Sequence, residues 1–325
     1  MKRVLLLGGS GFVGSHVCNK LASRPWRITL PTRHEVHARH LQHLPQVDVV
    51  RADVHDPAVL RALVSGHDAV INLVAILHGD SAAFDRTHVE LTKNLARACL
   101  DAGVPRLVHV SALGADGLAP EKAPSMYLRS KSQGEALLTK ATAEGLQLTL
   151  LRPSVIFGDQ DKFLNLFAHL QKMFPVIPLA GALARFQPVW VEDVAQAIVH
   201  CIETPRTAGQ TYELCGPQVF TLRELVKLAG TLSGIRQGRG RPIVALPEAL
   251  GRLQARLMAW LPGPPLMSLD NLDSMRVDNV ASGKLPGLQA LGITPASLGA
   301  IGPTYLGSSE SQDPCLALRS HQHST

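Results

Sequence analysis

The chain opens on an apolar run that ends in spaced glycines: Lys2-Arg3-Val4-Leu5-Leu6-Leu7 leads into Gly8-Gly9-Ser10-Gly11-Phe12-Val13-Gly14. A continuous run without polar alternation suits a strand buried on both faces of a parallel sheet. From Phe12 to about Leu21 the apolar spacing becomes helical. Each glycine then has a task. Gly8 permits the tight turn, Gly11 lets backbone approach a pyrophosphate, and Gly14 lets the new helix pack closely. The first helical N–H groups, around Phe12 and Val13, and the positive dipole end suit the phosphates. A second strand-like run, Trp26-Arg27-Ile28-Thr29-Leu30, completes the context that a dinucleotide fold requires.

That second run ends in Pro31-Thr32-Arg33-His34-Glu35. An NAD site commonly places an acidic residue here to accept from the ribose 2′-OH. Arg33 stands there instead, and its guanidinium can pair with a 2′-phosphate in fork geometry, which favours NADP(H). Glu35 nearby keeps NAD(H) open. A third strand is expected over residues 47–54, ending in Ala52-Asp53-Val54. The Asp53 carboxylate, with Val54 beside it, would face the adenine and accept from its amino group. Its rival reading is a cap for a helix starting near Asp56-Pro57.

Residues 68–75 are apolar and β-branched, a mid-sheet strand. A long helix is expected over 83–102, stopped by Gly103 with Pro105 beyond. The fifth strand, Arg106-Leu107-Val108-His109-Val110, delivers Ser111 at its carboxyl end, the edge where ligand groups gather in open α/β sheets. A helix from Ser125 to about Glu144 follows and carries Tyr127 and Lys131 on one face. A free phenol ionises at about 10, too high for a base at neutral pH. A nearby ammonium favours the phenolate, so Lys131 is expected to lower the Tyr127 pKa and make it a usable acid or base. Ser111 can donate to a substrate oxygen as charge develops there. The catalytic candidates are therefore Ser111, Tyr127 and Lys131.

Together with Asp53, Arg152-Pro153 and Trp190-Val191-Glu192-Asp193-Val194, these motifs resemble the short-chain dehydrogenase/reductase superfamily in its extended or atypical form, over about residues 1–200. The resemblance implies a doubly wound α/β Rossmann sheet with a smaller C-terminal substrate lobe, and a Lys131 that also holds the nicotinamide ribose. Tyr127-Leu128-Arg129-Ser130-Lys131 with Gly134-Glu135, and the stretch from Arg152 to Asn165, are similar to the branch containing the NADPH-binding accessory subunit of respiratory complex I. That likeness implies a respiratory-complex or quinone-biosynthesis partner, with slow turnover or none. The rival is an active NADP-dependent oxidoreductase or epimerase on a small carbonyl or hydroxyl compound or a nucleotide sugar, using Tyr127 and Lys131. One departure stands out. Extended members often read Asn-Val-x-Gly-Thr where this chain has His88-Val89-Glu90-Leu91-Thr92, so the usual Asn of the proton relay is absent.

The expected organisation is a dinucleotide domain over 1–158, with contributions from about 186–216, a mixed substrate lobe over 159–306, and a disordered tail over 307–325. A sixth strand is expected over 147–157, a loop above the site over 174–181, and roles as structural caps rather than catalysts for Glu192 and Asp193 in a helix's first turn. Thr221 and Glu224 form a capping box. Residues 246–261 read as an amphipathic helix that packs on its own domain or lies on a membrane surface or partner.

Aromatics make up 4% of the chain and its net charge of +6 is scattered, which argues against nucleic acid. The five cysteines are widely spaced, with no Cys-x-x-Cys pair, so neither a zinc site nor a disulfide framework is expected. With the first strand beginning at once, no signal peptide is expected, and no apolar stretch is long enough to span a bilayer. The reading is cytoplasmic, with peripheral contact at the inner face of a membrane open.

Overall fold

A computed structural model describes residues 1–258 and 267–307. Its centre is a seven-stranded parallel sheet. Strand β1 (Lys2–Leu7) leads through a glycine turn to α1 (Phe12–Ala22) and β2 (Trp26–Thr32), then β3 (Val47–Arg51), α2 (Pro57–Val64) and β4 (Ala69–Asn72). A broken helix follows: α3 (Ser81–Phe84), a π-turn over Asp85–Glu90, and α4 (Leu91–Asp101). Next come β5 (Arg106–Val110), α5 (Met126–Ala141), β6 (Gln147–Pro153) and β7 (Ile156–Phe157). The C-terminal part holds α6 (Leu164–Met173), β8 (Ile177–Leu179), β9 (Arg185–Phe186), β10 (Val189–Trp190), α7 (Val191–Glu203), β11 (Thr211–Leu214) and β12 (Phe220–Thr221). It closes with α8 (Leu222–Leu232), β13 (Ile243–Ala245), α9 (Glu248–Met258), α10 (Leu269–Ser274) and α11 (Leu298–Leu306).

The order across the sheet is β11-β6-β5-β4-β1-β2-β3. It reverses between β1 and β4, and the crevice outside the strand ends there is where such sheets bind ligands. Val4 to Leu7 are fully buried, as a run without alternation predicts. Val4 and Leu6 face α1 and α7 in one core, while Leu5 and Leu7 face α2, α4 and α5 in the other. A third core, around Phe157, Leu164, Ile177, Leu179, Leu222 and Leu298, serves the C-terminal part.

Four expectations are corrected. Residues 174–181 contain β8, paired with β13; Ile177 and Leu179 are core residues, so this is no free loop. The sixth strand stops at Pro153, because the Asn279 side chain accepts from both Ser154 Oγ and the Val155 N–H. Chain direction then changes, and β7 pairs with β10. The third strand ends at Arg51, since Asp53 turns the chain by accepting from the His55 N–H. The helix expected over 83–102 is interrupted by the π-turn at Asp85–Glu90, while Gly103 at φ +67 confirms its stop. The capping box of Thr221 and Glu224 is present as read. The expected tail after Gly307 lies outside the described residues, as do the last positions of the helix expected over 246–261.

Candidate active site

The glycine turn builds one half of the site. Gly8 has φ +79, a conformation that costs glycine nothing. A Cβ on Gly14 would come within 2.4 Å of the Gly8 carbonyl, and one on Gly11 within 3.3 Å of it. The turn is thus drawn tight and bare of side chains. Helix α1 has no side-chain cap, which leaves its leading N–H groups open to a ligand. Helix α5 is the contrast. Its first N–H groups are met by the Asp270 carboxylate, at Met126 (2.6 Å) and Tyr127 (3.1 Å), and by Ser125 Oγ at Leu128. Of the two helices, α1 is the one shaped for an anion. Phe12 lies beside the Gly158 turn and edge-on to His16, while Val13 packs on the core.

Arg33 stands exposed just past β2, and its charge reaches His55. Asp53 lies 4.0 Å from Arg86, both well exposed, and Val54 packs against the second core. The cap of α2 is Asp56, which accepts from the N–H groups of Ala58 and Val59, and not Asp53. Asp53 is therefore free of the capping role weighed against it.

The other half lies at the carboxyl end of β5. Lys131 is buried, and its Nζ donates to the Val110 carbonyl at 3.0 Å, so α5 is tied to the residue before Ser111. Ser111 is buried as well, and its Oγ has no partner among the described residues. A buried hydroxyl without a partner is costly unless a ligand meets it. Burial lowers Lys131 to about 8, opposed by Glu135 one turn on. The expectation for Tyr127 is corrected. Burial pushes its phenol up to about 12, because the Lys131 ammonium is directed at a carbonyl and does not offset the loss of water. Tyr127 is thus a protonated donor at neutral pH, not a ready base.

His88 fills the space beside it. The π-turn turns this ring into the core, edge-on to Tyr127 with centroids 5.6 Å apart and beside Phe84. The Ile76 N–H donates to Nε2 at 3.2 Å, so that nitrogen carries no proton. Nδ1 then donates to Ser130 Oγ at 2.8 Å, whose hydroxyl donates on to the Tyr127 carbonyl. Burial, with the nearby Lys131 charge, lowers His88 to about 3. Sequence reasoning noticed only that His88 replaced an Asn. The signal for its partner was Ser130, a polar residue on a buried helix face.

Glu192 holds His16 and Lys20 of α1, and Asp193 accepts from the Ala296 N–H, so both acids make structural contacts to other elements and neither is the expected cap of α7, which has no side-chain cap. Arg152 pairs in bidentate fashion with the fully buried Glu135, joining β6 to α5. Cys18, Cys99, Cys201 and Cys215 are buried free thiols, raised by that burial, and no metal-holding cluster occurs among the described residues.

The sequence pattern of the NAD dependent epimerase/dehydratase family matches residues 4–215, the whole stretch that builds this site. The chain belongs to that family. It is 31% identical over 300 residues to the mouse mitochondrial NADH dehydrogenase [ubiquinone] 1 alpha subcomplex subunit 9, covering 90% of this chain and 76% of that one. The Arabidopsis thaliana subunit of the same name is 29% identical, with 90% and 74% covered. Among solved structures, a dTDP-glucose 4,6-dehydratase from Streptomyces venezuelae with NAD bound superposes with a TM-score of 0.73 at 22% identity, covering 94% of this chain and 95% of that one. That likeness confirms the doubly wound α/β fold. A nicotinamide dinucleotide is the cofactor the family implies, and the bare, uncapped turn of β1 and α1 fits one.

Proposed function

We propose that the chain holds NADP(H) and reduces a carbonyl, or oxidises the matching alcohol, at Ser111, Tyr127 and Lys131. The observation that carries this reading is the buried Ser111 Oγ without a partner, beside a buried lysine anchored to the same strand end. The dinucleotide supplies hydride acceptance and donation. Gly8, Gly11, Phe12, Val13 and Gly14 receive its phosphates, Lys131 its nicotinamide ribose, and Asp53 with Val54 its adenine. Arg33, exposed at the end of β2, favours the 2′-phosphate form. Ser111 Oγ donates to the substrate oxygen, and Tyr127, protonated until about 12, delivers a proton to it. His88 takes no part as an acid at neutral pH, because its neutral ring is locked at both nitrogens.

A second reading rests on similarity to the complex I subunits over 90% of the chain. There the dinucleotide stabilises the fold of a chain that serves respiratory complex I or quinone-biosynthesis proteins, and turnover is slow or absent. Membrane contact in that setting would be peripheral, as no described helix is long and apolar enough to cross one. Tyr127→Phe separates the readings. Loss of turnover and of cellular function together, with NADPH still bound, supports the oxidoreductase. Cellular function that survives the substitution, with complex I or quinone-synthesis proteins recovered in a pull-down, supports the partner role.

A further inference from the structure

Between α9, α10 and the broken helix at α3 lies a cavity of about 670 Å³, walled by Phe84, Met126, Leu253 and Leu257, with His78 and Asp270 among its polar residues. It adjoins the reaction centre. The Phe84 ring contacts that of Tyr127 at 6.2 Å between centroids, and Met126 is the residue before Tyr127. On its outer side, Leu253 and Leu257 also line an apolar depression with Leu250 and Met258. Leu250, Leu253 and Leu257 are 52%, 51% and 59% exposed, one stripe along α9. Apolar lining therefore runs from Phe84 and Met126, the neighbours of Tyr127, to the surface.

Little of its polar lining is open to a ligand. Both Asp270 oxygens are committed to the N–H groups of α5, and Ser268 Oγ caps α10. Arg256, at the exposed rim, is the one cation of the lining among the described residues. His78 Nδ1 is buried without a partner among the described residues, and burial lowers its pKa, so a neutral imidazole waits inside. A nucleoside diphosphate needs several cations, which the described residues of this lining do not offer.

We propose that the cavity and the α9 stripe hold the aliphatic tail of a lipid-like substrate, with its carbonyl or hydroxyl at Tyr127 and a polar group near the head of the tail on His78. The proposal names the substrate class of the reading above and rests on its placing the chemistry at Tyr127.

Calorimetric titration of the full chain with NADPH present, using straight-chain 2-ketones of increasing length below their micelle-forming concentrations, tests it. Affinity should rise about fourfold with each added methylene until the path is filled, the gain expected for burying a CH₂. Leu253→Glu should flatten that rise by charging the wall, while NADPH binds as before. Affinity independent of tail length, with NADPH still bound, overturns the tail site and leaves the dinucleotide reading standing. So does association with phospholipid vesicles without binding of the monomeric ketones. Failure of the unsubstituted chain to bind NADPH at all overturns the reading on which the proposal rests.

Discussion

At His88 both ring nitrogens are committed, Nε2 to a backbone N–H and Nδ1 to Ser130, in a site closed to water. An unfolded chain protonates this ring near its ordinary 6.5, whereas the folded one resists until about 3. Between those values the unfolded state binds more protons, so stability falls as the pH drops through that window. The loss from His88 alone is on the order of 5 kcal/mol. Urea midpoints measured from neutral pH down to the lower value should show this slope, and His88→Gln should flatten it. Lys131 sets an upper limit instead. Its folded value, lowered to about 8, means that its positive charge is lost above that pH. Turnover that needs the cation should be full below about 8 and decline above it, with Lys131→Arg moving the decline upward. Ser111, Tyr127 and Lys131 were legible as residues, since strand end and helix spacing are local signals. The tyrosine's protonation was not, because it depends on what buries it.

Elements carry their own consequences. The turn between β1 and α1 leaves no room at Gly14, so Gly14→Ala must push the helix away from Gly8 and Gly9. Expected effects are a loss of about 1–3 kcal/mol in urea unfolding and at least tenfold weaker NADPH binding. The α5–β6 junction is held by Glu135 and Arg152. Arg152→Ala strands a fully buried carboxylate and should cost about 3–5 kcal/mol by thermal or urea denaturation. The strands that read correctly, such as Arg106–Val110, carry their signal in their own side chains. The break between β6 and β7 did not read because its cause, Asn279, lies far along the chain. The π-turn was invisible for a related reason. One extra residue in a helical turn leaves the apolar spacing almost unchanged while redirecting His88.

For the whole molecule, the doubly wound parallel sheet and its two-sided core follow from unbroken apolar runs and were readable in the sequence, whereas the order of the strands across the sheet was not. The C-terminal part was less so, since its short strands pair across long separations, as β8 does with β13. If NADPH binds the folded chain, a concentration of a hundred times its Kd should stabilise it by about 2.7 kcal/mol, a shift of ~5 °C in Tm. Arg33→Ala should cut the NADPH shift sharply and leave the smaller NADH shift unaltered. Equal shifts with both nucleotides, unchanged by the substitution, would remove Arg33 from the site.

Asp270 gives the two ends of the chain a common fate. The carboxylate that completes the first turn of α5 comes from the far C-terminal half, so the helix bearing Tyr127 borrows its starting point from the region to which we assign the substrate's tail. Grafting a different C-terminal half onto this sheet, to change what it accepts, would therefore also re-aim the proton donor. On that assignment, specificity and rate in this chain are inherited together.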